Sequence, residues 1–214
     1  MDLAEIFTQI YRSSAWVEKG TSSKSGFGST LEMTFFVRAG LEKIIQDFRP
    51  ASFLDLPCGE SDWLRPVVDV HSFHYTGADI VLDVIERNQR QWPQYEWLVL
   101  DICASPLPMV DMIFCRDCFV HFPLEFIFKA LGNIRSSGSK YLVMTTFPQI
   151  TEGNGEIVAG KWRRLDFTQE PFKLPEPLLL VNECGDYPSK AGDKSLGVWG
   201  LDQLHDLKDT MTQI

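Results

Sequence analysis

No stretch of this chain is apolar for anything near the roughly 18–20 residues that cross a bilayer, so no membrane-spanning helix is expected. The opening Met1-Asp-Leu-Ala-Glu5 has neither a basic segment nor an apolar core, so no secretion signal is read there. Basic residues are in short supply. The 20 Lys and Arg stand against 29 Asp and Glu, a formal net charge of −9. Long nucleic acids are bound by neutralising phosphates, so they are poor partners for such a surface; a nucleotide, a sugar or another small molecule stays open. Cysteine supplies no paired framework. The five, at 58, 103, 115, 118 and 184, are odd in number and mostly lie in apolar, strand-like contexts. Small buried thiols in a reducing compartment fit that pattern, and the expectation is a cytoplasmic protein. Internal repeats and low-complexity tracts are missing. So is Gly-x-Gly-x-x-Gly, since positions 57, 59 and 62 are Pro, Gly and Asp. With no tyrosine–lysine pair at catalytic spacing either, a nicotinamide dehydrogenase is disfavoured. Histidine is scarce too. Cys115, Cys118 and His121 fall short of the four ligands of a structural zinc site, and His71, His74 and His205 add no matching motif, so no metal is expected.

What is present is an alternation of periods. Residues 2–18 read as a helix, with Leu3, Ile6, Phe7, Ile10 and Tyr11 on one face and Trp16 and Val17 extending it. The polar, glycine-rich stretch 19–30 is either a flexible linker or a lid over a ligand. A second helix is expected from Thr30 to about Asp47, burying Leu31, Phe35, Val37, Leu41, Ile44 and Ile45. Arg49-Pro50 closes it. Residues 1–48 thus form an N-terminal helical extension with a lid, and 49–214 the main domain.

Strands at 52–57, 74–79, 96–100, 111–115 and 140–146 alternate with helices at 62–70, 81–91 and 123–136. That is the pattern of βαβ units: a Rossmann-like α/β fold, an open and mostly parallel sheet with helices on both faces. Residues 148–175 lack a clean period. Strands at 178–183 and 194–199 then suit an antiparallel C-terminal hairpin at the sheet edge, and 201–214 a short helix or tail.

The chemistry gathers at strand ends. Phe53-Leu-Asp-Leu-Pro-Cys-Gly59 is a buried strand that stops on Asp55 and turns at Gly59. Ligands of open α/β sheets lie in such crevices. Glycine lets a ligand approach the main chain, and Asp55 is suited to a cationic amino group. Asp79 ends the second strand, where an acidic residue about 20 positions on accepts ribose hydroxyls. Asp101 ends the third and suits an adenine amino group, with Ile80 and Ile102 offering apolar faces to the ring.

These residues carry a resemblance. Leu54-Asp-Leu-Pro-Cys-Gly59, Tyr75-Thr-Gly-Ala-Asp-Ile80, Val99-Leu-Asp-Ile102 and Val110-Asp-Met-Ile-Phe-Cys-Arg-Asp117 follow in the order and spacing of the class I S-adenosylmethionine-dependent methyltransferases, which the chain resembles over about residues 50–147. Pro57 stands where that family usually has its first glycine. The resemblance implies S-adenosyl-L-methionine as cofactor, held by Asp55, Pro57, Cys58, Gly59, Asp79, Ile80, Asp101, Ile102 and Arg116. It implies methyl transfer, and the polar groups expected around the crevice suggest a small polar acceptor, a hydroxyl of a sugar or other metabolite. No Asn/Asp-Pro-Pro-aromatic tetrad follows the fourth strand, which weighs against DNA as the acceptor. His121 is a candidate general base, with Asp117 orienting it or binding substrate. Arg116 suits a substrate carboxylate or phosphate, or the cofactor's carboxylate. Trp162, Arg163 and Arg164 either grip the acceptor or are solvated charge beside a packing tryptophan. Tyr187 is a weaker candidate. A non-catalytic binding protein on the same fold is the alternative, with Pro57 and Glu60 in its favour.

Overall fold

The computed structural model describes residues 2–18, 23–184 and 192–204. Phe53-Leu54 and Met112-Ile113-Phe114 are apolar on both faces, as strands covered by helices on both sides must be. They become β1 (Ser52–Asp55) and β4 (Met112–Cys115) at the sheet centre. Around them lie β2 (His74–Asp79), β3 (Glu96–Val99), β5 (Tyr141–Thr146), β6 (Leu179–Asn182) and β7 (Ser195–Gly200). The order is β3-β2-β1-β4-β5-β7-β6. β1 to β5 pair in parallel, and β7 pairs antiparallel with both β5 and β6. The winding reverses between β1 and β4, which puts the crevice at the carboxyl end of β1.

The helices are α1 (Leu3–Ser13), α2 (Phe35–Phe48), α3 (Arg65–Val68), α4 (Leu82–Gln91) and α5 (Leu124–Ser136). One sheet face buries Leu54 and Ile113 with Ile127, Leu131, Phe167 and Trp199. The other buries Phe53 and Phe114 with Leu41, Ile44, Leu64 and Val84. The irregular run after β5 is ordered by its own polar groups. Buried Asp166 accepts from the Thr168 amide at 2.9 Å and from the Gln169 side chain at 2.9 Å. This places Phe167 and Phe172 under the sheet, with ring centroids 4.8 Å apart.

The N-terminal expectations need two corrections. The first helix stops at Ser13, because Ser14 takes a left-handed backbone (φ 55°) and the Ala15 amide bonds back to the Ile10 carbonyl at 3.1 Å. Trp16 therefore leaves the helix and folds back to 5.9 Å from the Phe7 ring. The second helix begins at Phe35 rather than Thr30, since the Thr34 hydroxyl bonds the Thr30 carbonyl at 2.7 Å and ties residues 30–34 into turns. Leu31 and Phe35, expected in the core, are 55% and 62% exposed. At 100° per residue, Phe35 lies about 200° from Val37, on the face away from the sheet. Leu201–Gln203 forms a short 3₁₀ turn, and the rest of the expected terminal helix, 205–214, lies outside the described residues.

Candidate active site

A cavity of about 810 Å3 opens at the carboxyl ends of β1, β2, β3 and β4. Asp55, Pro57, Cys58, Gly59, Asp79, Ile80, Asp101, Ile102 and Arg116 all line it. The parallel register explains this: Asp55 pairs with Gly77, two residues before Asp79, and Asp79 pairs with Val99, two before Asp101, so the three acids step across the same end of the sheet.

Asp55 is 3% exposed and accepts from the Tyr75 hydroxyl at 2.8 Å. Burial pushes its carboxyl up to about 7, against the pull of the Tyr75 bond and the Arg65 charge. Asp79 is raised to about 6 by burial, although its oxygens accept from the backbone of Val81 at 3.0 Å and Gly59 at 3.1 Å. The second bond ties the β1 turn to the tip of β2. A carboxylate has about four lone-pair sites, so both acids keep acceptor capacity toward the cavity. Asp101 accepts from the Cys103 amide at 2.8 Å. The Leu56-Pro57 peptide bond is cis, and Pro57 lies on the cavity wall.

Gly59 has φ +51°, and a Cβ there would stand 2.7 Å from the Ser25 hydroxyl oxygen. Residues 23–30 of the glycine-rich segment therefore rest directly on the turn. Glu60, one residue on, holds it there. The Glu60 carboxylate accepts from the Lys24 amide at 2.9 Å and the Tyr11 hydroxyl at 3.2 Å, while its amide donates to the Ser25 hydroxyl at 2.9 Å. Glu60 does not line the cavity. Nothing local to position 60 signals these contacts, because the partners come from 35 and 49 residues earlier in the chain.

Beyond β4 lies an ionic quartet, buried at Arg116 and Glu183 and partly exposed at Asp117 and Lys194. Arg116 donates to Glu183 at 2.8 Å and to the Gly28 carbonyl at 3.1 Å, and sits 3.2 Å from Asp117. Lys194 bonds Asp117 at 2.6 Å and lies 3.4 Å from Glu183. Burial alone would raise Asp117, but Arg116 and Lys194 outweigh it and hold the carboxyl well below its usual range. Asp117 is thus a fixed anion, unsuited to take a proton near neutral pH. Arg116 has its charge matched internally and is no free clamp for an anion. Glu183 went unrecognised in the sequence, 67 residues from its partner.

His121 lies on the cavity wall with its ring stacked on Trp16, 4.5 Å between centroids. Its Nδ1 is 2.9 Å from the Lys161 carbonyl. A carbonyl only accepts, so Nδ1 carries the proton and Nε2 keeps the lone pair in the neutral ring. Asp117, expected to orient this histidine, is bonded to Lys194; the Lys161 carbonyl does the orienting. Burial pushes the imidazole below its ordinary value, against that bond, so the ring is neutral at pH 7.

The expected Trp162–Arg163–Arg164 grip is not assembled. Trp162 lines the cavity, edge-on to Phe147 at 5.9 Å. Arg163 turns away, donating to the Phe122 carbonyl at 2.8 Å, and Arg164 pairs with Glu152 at 3.0 Å. Alternation along an extended segment turns Arg163 from the side of Trp162, while Arg164 is drawn off the cavity by Glu152. Tyr187 lies outside the described residues. Cys115 and Cys118 are buried free thiols, and among the described residues no group of three or more His, Cys, Asp and Glu is placed to hold a metal ion. Among the described residues no helix is long and apolar enough to cross a membrane.

This strand order, with the acids at three successive strand tips, defines the class I S-adenosylmethionine-dependent methyltransferase fold. Solved structures agree. The chain is similar to magnesium protoporphyrin IX methyltransferase ChlM from Synechocystis PCC 6803 with bound SAM, at 10% identity and TM-score 0.60, covering 94% of this chain and 97% of that one. It is similar to PigF with SAH at 13% identity and TM-score 0.64, covering 94% of this chain and 62% of PigF. The methyltransferase domain of bacterial CtHen1 matches at 15% identity and TM-score 0.57, over 80% of this chain and all of that domain. No family model and no curated protein matches the sequence.

Proposed function

We propose that this protein binds S-adenosyl-L-methionine and transfers its methyl group to a hydroxyl of a small molecule. The observation that carries this reading is the convergence of Asp55, Asp79 and Asp101 on one cavity at the winding reversal. The donor set fits the cofactor. Ionised Asp55 suits the cationic amino group, Asp79 the ribose hydroxyls, and Asp101 the adenine amino group, with Ile80 and Ile102 against the ring. When bound, the cofactor supplies a methyl on a cationic sulfur; the acceptor oxygen takes the methyl, and the sulfur keeps the bonding pair as a neutral thioether. His121 takes the acceptor's proton on Nε2, the nitrogen that the Lys161 bond leaves free. Arg116 and Glu60 have structural partners. Arg116 fixes Gly28, and Glu60 fixes Lys24, so together they hold the glycine-rich segment across the crevice as a lid. Glu60 therefore no longer supports a non-catalytic reading, since its side chain is turned from the cavity.

Calorimetry with S-adenosylmethionine tests the reading. Micromolar binding is expected, lost in Asp79→Ala with the circular dichroism spectrum unchanged. Absence of heat and of any thermal shift at millimolar cofactor would overturn it.

A further inference from the structure

The acceptor side of the cavity is aromatic and carries matched charge. Phe7 packs against Phe122 at 5.6 Å and against Trp16 at 5.9 Å, and Trp16 stacks on His121. These rings form one continuous wall, and Trp162 also lines the cavity. α1 is brought onto this wall because Gly160 leaves room: a Cβ there would stand 2.6 Å from the Ile10 methyl. Phe27 and Met33 carry the apolar lining out to the rim, where both are exposed, and the exposed Leu31, Phe35 and Phe36 continue along the same stretch of chain. The cavity is large for one nucleoside, near the top of the ~300–1,000 Å3 range of small-ligand pockets.

Charge on this side does not invite an anion. Arg116 and Lys194 are paired with Asp117 and Glu183. The Lys24 ammonium lies over the Tyr11 ring at 5.1 Å. Asp55, Asp79 and Asp101 add negative charge to the same cavity. A sugar fares poorly for a different reason. Its many hydroxyls need hydrogen-bond partners when buried, at a cost of about 1–3 kcal/mol for each one left unmet, and this wall is made of rings. Aromatic faces are suited to stacking with a flat π-system.

We infer that the methyl acceptor is an uncharged, flat aromatic molecule bearing a hydroxyl, stacked in the chamber formed by Phe7, Trp16, His121, Phe122 and Trp162. This rests on the proposed methyl transfer and takes an aromatic metabolite over a sugar, where the sequence left both a sugar and another polar metabolite open. The ring lies between aromatic faces, and its hydroxyl meets His121 Nε2, which takes the proton as the oxygen accepts the methyl.

The test is calorimetric titration of the full chain with 2-naphthol, 2-naphthyl phosphate and methyl α-glucoside, each with and without S-adenosylmethionine. 2-Naphthol is expected to bind at least tenfold more tightly than either competitor. Trp16→Ala and Trp162→Ala are each expected to weaken it tenfold or more, while cofactor affinity changes less than threefold. Two variants from separate segments guard against loss of fold in one of them. Tighter binding of the phosphate or the glucoside would overturn the inference, as would absence of 2-naphthol binding in both series. The cofactor titration is read separately, so a failed methyltransferase reading and a failed acceptor class give different results.

Discussion

The Tyr75 hydroxyl donates to the Asp55 carboxylate at 2.8 Å, linking the second strand to the acid at the tip of the first. Behind it, the same hydroxyl meets Ser61 at 3.1 Å, and Arg65 donates to Ser61 at 2.9 Å. The Arg65 guanidinium lies among rings, 4.4 Å from the Tyr75 centroid and 4.7 Å from that of Tyr95. A buried carboxylate is thus steadied from a cation it does not touch. Tyr75→Phe removes one buried donor and is expected to cost about 1–2 kcal/mol in urea denaturation. It also raises the Asp55 pKa further, so cofactor affinity at pH 7 falls several-fold by calorimetry.

Asp55 has a pH signature of its own. Its carboxyl is raised from 3.8 to about 7 in the fold, so between those values the native state holds a proton that the unfolded chain has released. Stability from this group is present below about 4 and is lost as pH rises through about 7. Cofactor binding, which needs the anion, runs the opposite way and weakens as pH falls below about 7. Asp55→Asn is therefore expected to be more stable than the parent at pH 8 by thermal melt, yet to bind S-adenosylmethionine at least tenfold more weakly. A less stable variant at pH 8 would contradict the assignment.

Glu60 predicts a loosened lid. Glu60→Ala removes the acceptor of the Lys24 amide and the Tyr11 hydroxyl. Hydrogen exchange across residues 23–30 is expected to speed up at least tenfold, with amides of β1 and β4 unchanged. Unaltered exchange in that segment would show that the Glu60 carboxylate does not hold it.

For His121, the expected loss in His121→Ala is about 10²-fold in kcat, the lower end of general-base contributions. Because burial lowers the imidazole's pKa, the rate should fall only on the acid side of 6.5, as Nε2 becomes protonated. The variant should lose that limb of the pH profile. Full turnover in His121→Ala would remove the base from the mechanism.

The quartet should be a stability element. Glu183→Ala leaves the Arg116 guanidinium, 8% exposed, without its closest carboxylate. Breaking a buried pair from one side costs about 3–5 kcal/mol, to be read from guanidinium denaturation. Replacing both partners, as Arg116→Met with Glu183→Leu, should recover much of that loss.

Much of this fold is legible in the sequence. The apolar runs at Phe53-Leu54 and Ile113-Phe114 required strands buried on both faces, and their alternation with helical segments required a parallel sheet. Once the sheet was parallel, Asp55, Asp79 and Asp101 had to share one end, because each closes a strand running the same way. Local signals failed at the N-terminus. The apolar spacing of Ile10, Tyr11 and Val17 continues past Ser14, where the chain turns, and Leu31 and Phe35 are as apolar as core residues yet face outward.

The linear chain determined the proposed cofactor side, since it is built from consecutive strand ends whose spacing is written locally. The proposed acceptor side was decided by tertiary structure alone. Its wall joins Phe7 and Trp16 to Phe122 and Trp162, and its charges are cancelled by pairing across long stretches of chain, Arg116 with Glu183 and Asp117 with Lys194. Read in sequence, Arg116 suited an anionic group of substrate or cofactor. Side chains far apart in sequence show no mutual signal until packing brings them within hydrogen-bond distance, and only then is it settled which charges remain for a ligand.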